Sequence, residues 1–325
     1  MIKCKDRNLP QILIKVMLEP DLLNSILAFC NVNYRIDSMI IESGQRTVYR
    51  GHSVDMNTAA IIKISSHNEN MIARIQREIG VLNSISSPYF PRFFFQTYCS
   101  NETFELFVDS FDPKTQKNLI EDLQKLAFQP FFLTCEEYIE HISWNDYTSR
   151  IRSEKDIAVL LNHLFEALDL LWQKKIVHRD IKPDNILIRA NCRPVIIDLG
   201  IAKSLRPGTK QLTLHGLAPC TPQYAAPEQF EIGAEVTYKA DQFAVGVIAY
   251  HMLTGEFPYG RIEDTEIEGL LHNFSIGMQR GITEINPNIS SKLADLIHRL
   301  IEVQPYKRFR SAEAIYNALN QIGGN

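Results

Sequence analysis

A small β-rich part followed by a larger helical part, an α+β architecture, is what this 325-residue chain predicts. Three observations lead there. At roughly 150 residues per domain the length suits two lobes, each able to bury a core. From Tyr34 to Ser65 the pattern is β: short apolar runs separated by turn residues. After about residue 150 the apolar spacing becomes helical. Composition agrees, with 45% hydrophobic and 22% charged residues, as in ordinary soluble domains. A net charge of -4 leaves no basic footprint for nucleic acid and no polybasic membrane patch.

Residues 1–32 read as a helical extension carried by "DLLNSILAFC", with Asp21 as its N-cap. Leu22, Leu23, Ile26, Leu27 and Phe29 share one face, which either packs on the neighbouring domain or receives a regulatory partner. "SMII", "TVYRG" and "AAIIKIS" follow as three strands, with the turn at Ser43-Gly44. "ENMIARIQREIGVLNSI" is a helix, with Ile72, Ile75, Ile79 and Leu82 on one side. "SPYFPRFFFQTYC" is a turn followed by a strand, and "PFFLTCEEYIEH" is again a strand. Between them, residues 100–130 read as an acidic insertion with a short helix near Leu119 to Leu126, a second place for a regulatory partner. The expected divisions are therefore 1–32, a small lobe over 33–139 and a larger lobe over 140–325, with a cleft between the lobes. The larger lobe begins with a long helix, for which Ser153 is a good N-cap and Lys174-Lys175 suit the C-terminus.

Six cysteines lie scattered, none in a C-x-x-C pair, so zinc is not expected and free thiols are. No apolar run approaches the roughly 18 residues of a membrane span, and the N-terminus lacks a signal peptide's apolar region. A cytoplasmic location is expected.

The chemistry concentrates in "VHRDIKPDNILI", residues 177–188, and "VIIDLGIAK", residues 195–203. Asp180, Lys182 and Asn185 are spaced for one compact loop, and the gap to Asp198 leaves room for a strand hairpin. Phosphoryl transfer needs this set: a carboxylate to orient a hydroxyl, oxygen ligands for Mg²⁺, and a cation against the charge of the moving group.

The pattern H-R-D-x-K-x-x-N resembles the eukaryotic-like Ser/Thr protein kinases, most closely the bacterial members. Further matches follow in the family's order. "AIIK" ends in Lys63, "REI" contains Glu78, "DLG" stands for D-F-G, and "TPQYAAPE" closes an activation segment. The resemblance spans about residues 34–320 and implies the bilobal kinase fold. It implies ATP and Mg²⁺ as cofactors and protein substrates with Ser/Thr acceptors. Asp180 and Lys182 would be catalytic, and Asn185 and Asp198 would hold the metal. Lys63, paired with Glu78, would hold the phosphates; Ser43, Gly44, Val48, Glu136 and Leu187 would complete the nucleotide site. Asp241 would brace the catalytic loop, Thr221 would brace Asp180 and Lys182, and Glu228 with Arg308 would form a buried ion pair. Thr209 or Thr213, or else Ser204, would carry an activating phosphate opposite Arg179.

The chain also departs from the pattern. The family's three loop glycines fall on Ile41, Ser43 and Arg46, leaving only Gly44 nearby. Ile61 stands where alanine is usual, and Glu136 where an apolar residue or Thr is usual. A buried carboxylate at 136 needs a donor. Arg46 either reaches a phosphate or points to solvent. These departures keep a pseudokinase, a nucleotide-dependent binding or scaffold protein, as the alternative to an active enzyme.

Overall fold

The computed structural model describes residues 20–42, 46–66, 69–116, 130–199, 203–204, 221–231, 233–277 and 279–322. The chain divides into two compact units. The first takes Met1–Ile75 and Arg92–Tyr138, the second Gln76–Pro91 and Ile139–Asn325.

The first unit is built on five strands: β1 (Tyr34–Glu42), β2 (Arg46–Ser53), β3 (Ala59–Ser66), β4 (Phe93–Cys99) and β5 (Phe131–Glu137). Their order is β1-β2-β3-β5-β4, and every neighbouring pair is antiparallel. Because side chains alternate across a strand, the register divides the sheet into two unlike faces. Tyr49, Ala60, Ile62, Ile64, Leu133 and Cys135 lie buried on one face. They pack with Leu23, Ile26 and Leu27 of α1 (Pro20–Phe29) and with Phe107 and Val108 of α3 (Asn101–Asp109). The apolar face of α1 is therefore used up by the sheet. Asn24 seals this contact: its amide accepts from Ile36 N–H at 2.7 Å and donates to Ile36 C=O at 3.1 Å. Gly51 is required where β2 meets β1, since a Cβ there would collide with the carbonyl oxygen of Arg35.

Helix α3 falls in the stretch expected to be an insertion. Ser100 caps it by accepting from Thr103 N–H at 3.0 Å, and its apolar residues join the unit's own core. The short helix expected at Leu119 to Leu126 lies outside the described residues.

The division between units falls inside α2 (Glu69–Ser84), so residues 76–91, expected in the small lobe, group with the larger one. The physical tie is Tyr89. Its hydroxyl donates to Glu166 and stands 2.8 Å from His163 Nδ1, both on α5 (Glu154–Gln173). Its carbonyl accepts from Ile196 N–H at 2.8 Å. Burial, with the hydrogen bond to Glu166, pushes the Tyr89 phenol up to about 12, so it stays a donor across the ordinary pH range.

In the second unit α4 (Trp144–Thr148) precedes α5, which carries a full capping box. Ser153 N–H donates to Asp156, and Asp156 N–H returns to the Ser153 hydroxyl. The short strands β6 (Ile176–Val177), β7 (Ile186–Ile188), β8 (Pro194–Ile196) and β9 (Lys203–Ser204) follow. Helix α6 (Lys239–Thr254) is apolar on nearly every side and almost wholly buried, as a central helix must be. It stops at Gly255, which takes the left-handed conformation at φ 71°. Helices α7 (Ile262–Ile276), α8 (Ile282–Ile285), α9 (Ser291–Leu300) and α10 (Ala312–Asn320) complete the unit. No helix among the described residues is long and apolar enough to cross a membrane.

Candidate active site

The loop after β6 owes its shape to one carboxylate from a distant part of the chain. Asp241, in the first turn of α6, is 0% exposed. It accepts from Arg179 N–H at 2.8 Å, His178 N–H at 3.1 Å and Trp172 Nε1–H at 2.9 Å. Burial raises the proton affinity of this carboxyl; the nearby His178 and the three donors pull the other way. Three N–H groups converging on it require an acceptor, which the carboxylate is. So anchored, the backbone accepts φ 74° at Arg179, a conformation that costs energy for a side chain with a Cβ. Gln229 Nε2 holds the Arg179 carbonyl at 2.9 Å.

The turn throws Asp180 outward. Its Oδ1 accepts from Thr221 N–H at 3.0 Å and its Oδ2 from Asn185 Nδ2 at 3.1 Å. Lys182 Nζ lies 3.5 Å from the same Oδ2 and donates to the Thr221 hydroxyl at 2.7 Å. One threonine thus braces both the carboxylate and the ammonium.

Asn185 is brought beside the "DLG" stretch by the β7–β8 hairpin, whose register sets Ile186 opposite Ile196. The next backbone bond, Ile197 N–H to Asn185 C=O at 2.9 Å, puts Asp198 one residue beyond that contact. His178 is buried and joins the same stretch: its Nδ1 accepts from Asp180 N–H, so Nε2 carries the proton that points at Ile197 C=O at 3.4 Å. Asp198 has φ 60° and an exposed side chain. The Asn185 nitrogen is also held by Asp180 C=O at 2.8 Å, which fixes which way the amide points. An amide oxygen and a carboxylate are hard donors. Among the described residues no group of three His, Cys, Asp or Glu could enclose a metal. That donor set fits Mg²⁺, which takes few protein ligands and keeps waters or phosphate oxygens.

Leu187 is half-buried in the centre of β7, opposite Val195. Below the loop, Arg308 and Glu228 pair through two bonds, Nη1 to Oε1 at 2.7 Å and Nη2 to Oε2 at 2.9 Å. Arg308 is only 1% exposed and also donates to Glu302, Val303 and Lys239 carbonyls, so its donors are well used.

In the first unit Lys63 and Val48 face each other across β2 and β3, on the face opposite the apolar core. Val48 is half-buried there. Arg46 does not simply point to solvent: its Nε donates to Ser65 across the same strand pair at 3.2 Å. Glu136 shares that face two residues along β5 from Thr134, which pairs with Lys63. It forms an ion pair with Lys63 Nζ. The sequence asked for a donor to Glu136, and Lys63 is that donor. Glu78 is buried in α2. Ser43 and Gly44 lie outside the described residues, as do Thr209 and Thr213.

These arrangements agree with comparisons to known proteins. The protein kinase domain family matches residues 42–319, and the chain belongs to that family. It is 35% identical over 167 residues to the serine/threonine-protein kinase Pkn1 of Myxococcus xanthus, a match covering 50% of this chain and 23% of that protein. It is 33% identical over 199 residues to serine/threonine-protein kinase D of Synechocystis, covering 59% and 36%. A probable serine/threonine-protein kinase of Clostridium acetobutylicum matches at 25% over 296 residues, covering 90% and 40%. The chain therefore spans less than half the length of each of these relatives.

Proposed function

We propose that this chain is an ATP- and Mg²⁺-dependent protein kinase that transfers the γ-phosphoryl group to Ser or Thr hydroxyls of proteins, itself included. The observation that carries the reading is the bracing of Asp180. Two N–H donors and a neighbouring ammonium fix its direction. A carboxylate so held can accept the hydrogen bond, and then the proton, of a substrate hydroxyl. Lys182, located by Thr221, offsets charge on the moving group. Asn185 and Asp198 would hold the metal, which supplies charge neutralisation to the phosphates. Lys63 of the first unit would contact the phosphates, with Val48 of the same unit against the base.

A scaffold without activity is the second reading, supported by the missing loop glycines. Against it, Lys63, Glu78, Asp180, Asn185 and Asp198 are all present. Transfer from labelled ATP with Mg²⁺, to the protein itself and to a basic protein, decides between them. The kinase reading expects incorporation by the wild type, with a loss of at least about a thousandfold in Asp198→Ala and Asp180→Ala. No incorporation by well-folded wild type establishes the scaffold.

We also propose an activation-segment phosphate opposite Arg179. This side chain is buried, its Nε has no hydrogen-bond partner among the described residues, and burial lowers its pKa. A dianionic phosphate on Thr209 or Thr213 would answer that need. Intact-mass and peptide analysis of active protein without phosphate between residues 199 and 221 would remove this proposal. A regulatory partner, if one binds through 1–32 or 100–130, must use surface other than the buried faces of α1 and α3.

A further inference from the structure

The polar face of the first unit's sheet contains a carboxylate that the transfer chemistry does not need. Glu136 is 5% exposed and Lys63 8% exposed. Their register leaves little choice of partner face. Lys63 pairs with Thr134, and Glu136 lies two residues further along β5, so both side chains rise from the same side of the sheet. At that diagonal separation long side chains meet, and here they form an ion pair. Removing either charge alone would leave the other buried without this partner.

We propose that Glu136 is a specificity-determining residue that sets nucleotide affinity by competing with phosphate for the Lys63 ammonium. The inference rests on the kinase reading, in which Lys63 is the phosphate contact. An ammonium has three N–H donors and one positive charge. With a carboxylate already in contact, its charge is largely answered within the sheet. An incoming phosphate must then share the ammonium or displace the carboxylate. A threonine or an apolar side chain at this place offers no such competition. Glu136 is thus a positioning residue that acts through Lys63. The protein is tuned to fill with nucleotide only when nucleotide is abundant.

The test is a titration with fluorescent ADP beside steady-state kinetics with ATP. Glu136→Gln keeps the shape and a hydrogen-bonding group while removing the charge. Because hydrogen bonds to charged groups are worth about tenfold or more in affinity, the variant should bind ADP about tenfold tighter. KM for ATP should fall similarly while kcat changes less than about twofold. Glu136→Thr, checked for folding by thermal unfolding, should show the same direction. In a Lys63→Met background, Glu136→Gln should leave ADP affinity unchanged, because the effect runs through the lysine. Unchanged or weaker binding by both single variants overturns the proposal, and so does an equal gain in the Lys63→Met background. Those results leave the kinase reading standing if the wild type binds ADP and transfers phosphate. A wild type that does neither removes the kinase reading and this proposal together.

Discussion

The two units hold their charges by different means. In the second unit, buried charge is answered mainly by backbone. Asp241 takes two main-chain N–H groups and one indole, and Arg308 donates to three carbonyls besides Glu228. Backbone partners cannot rotate away, so these side chains are held in place by the fold itself. On the polar sheet face of the first unit, side chain answers side chain: Lys63 with Glu136, Arg46 with Ser65. Such contacts can be exchanged for a ligand at the cost of a rotamer change. The difference teaches where the chain keeps rigid geometry, around Asp180, and where it keeps adjustable affinity, around Lys63.

The comparison can be broken most directly at Arg308. Replacing it by Met leaves Glu228 buried without its cation, and stability to urea should fall by about 3–5 kcal/mol. A loss below about 1 kcal/mol would mean that the backbone anchoring of the second unit is not what holds it. Thr221→Val keeps shape and the N–H bond to Asp180 but removes the hydroxyl that Lys182 uses. We expect kcat to drop about tenfold with little change in KM for ATP. An equal rise in KM would move Thr221 into nucleotide binding.

His298 gives a smaller, pH-dependent effect. It accepts Ile282 N–H at Nε2 at 3.1 Å, and burial lowers its pKa below the ordinary histidine value. A depressed histidine pKa means the unfolded chain binds the proton first, so its contribution to stability is full above about pH 6.5 and declines as pH falls below it. Denaturation midpoints of wild type and His298→Gln between pH 7.5 and pH 5 should converge toward acid; parallel curves would remove this role. Arg46→Ala should be least costly, within about 0.5 kcal/mol. A larger loss would show that the sheet face is as rigidly built as the catalytic loop.

The site around Asp180 was legible because its residues are close in sequence and the chemistry dictates their types. The hairpin joining Asn185 to Asp198 was readable from spacing, and Ser153 from its capping pattern. Helix α3 was missed because acidic composition hid a cap at Ser100 and an apolar pair, Phe107 and Val108, which only a nearby sheet makes worth burying. The grouping of residues 76–91 with the second unit was also hidden, since it depends on the Tyr89 hydroxyl finding Glu166 on a helix about 77 positions away.

By itself, then, the sequence determined the strand and helix order and the residue types of the phosphoryl-transfer loop, because local pattern and chemical necessity act over short spans. The tertiary structure alone decided which groups Glu136 and Asp241 meet. That Lys63 meets Glu136 follows from strand register, and that Asp241 reaches His178 and Arg179 follows from the packing of α6 beneath the loop. Both are contacts between distant parts of the chain, where position in space, not spacing in sequence, sets the energy.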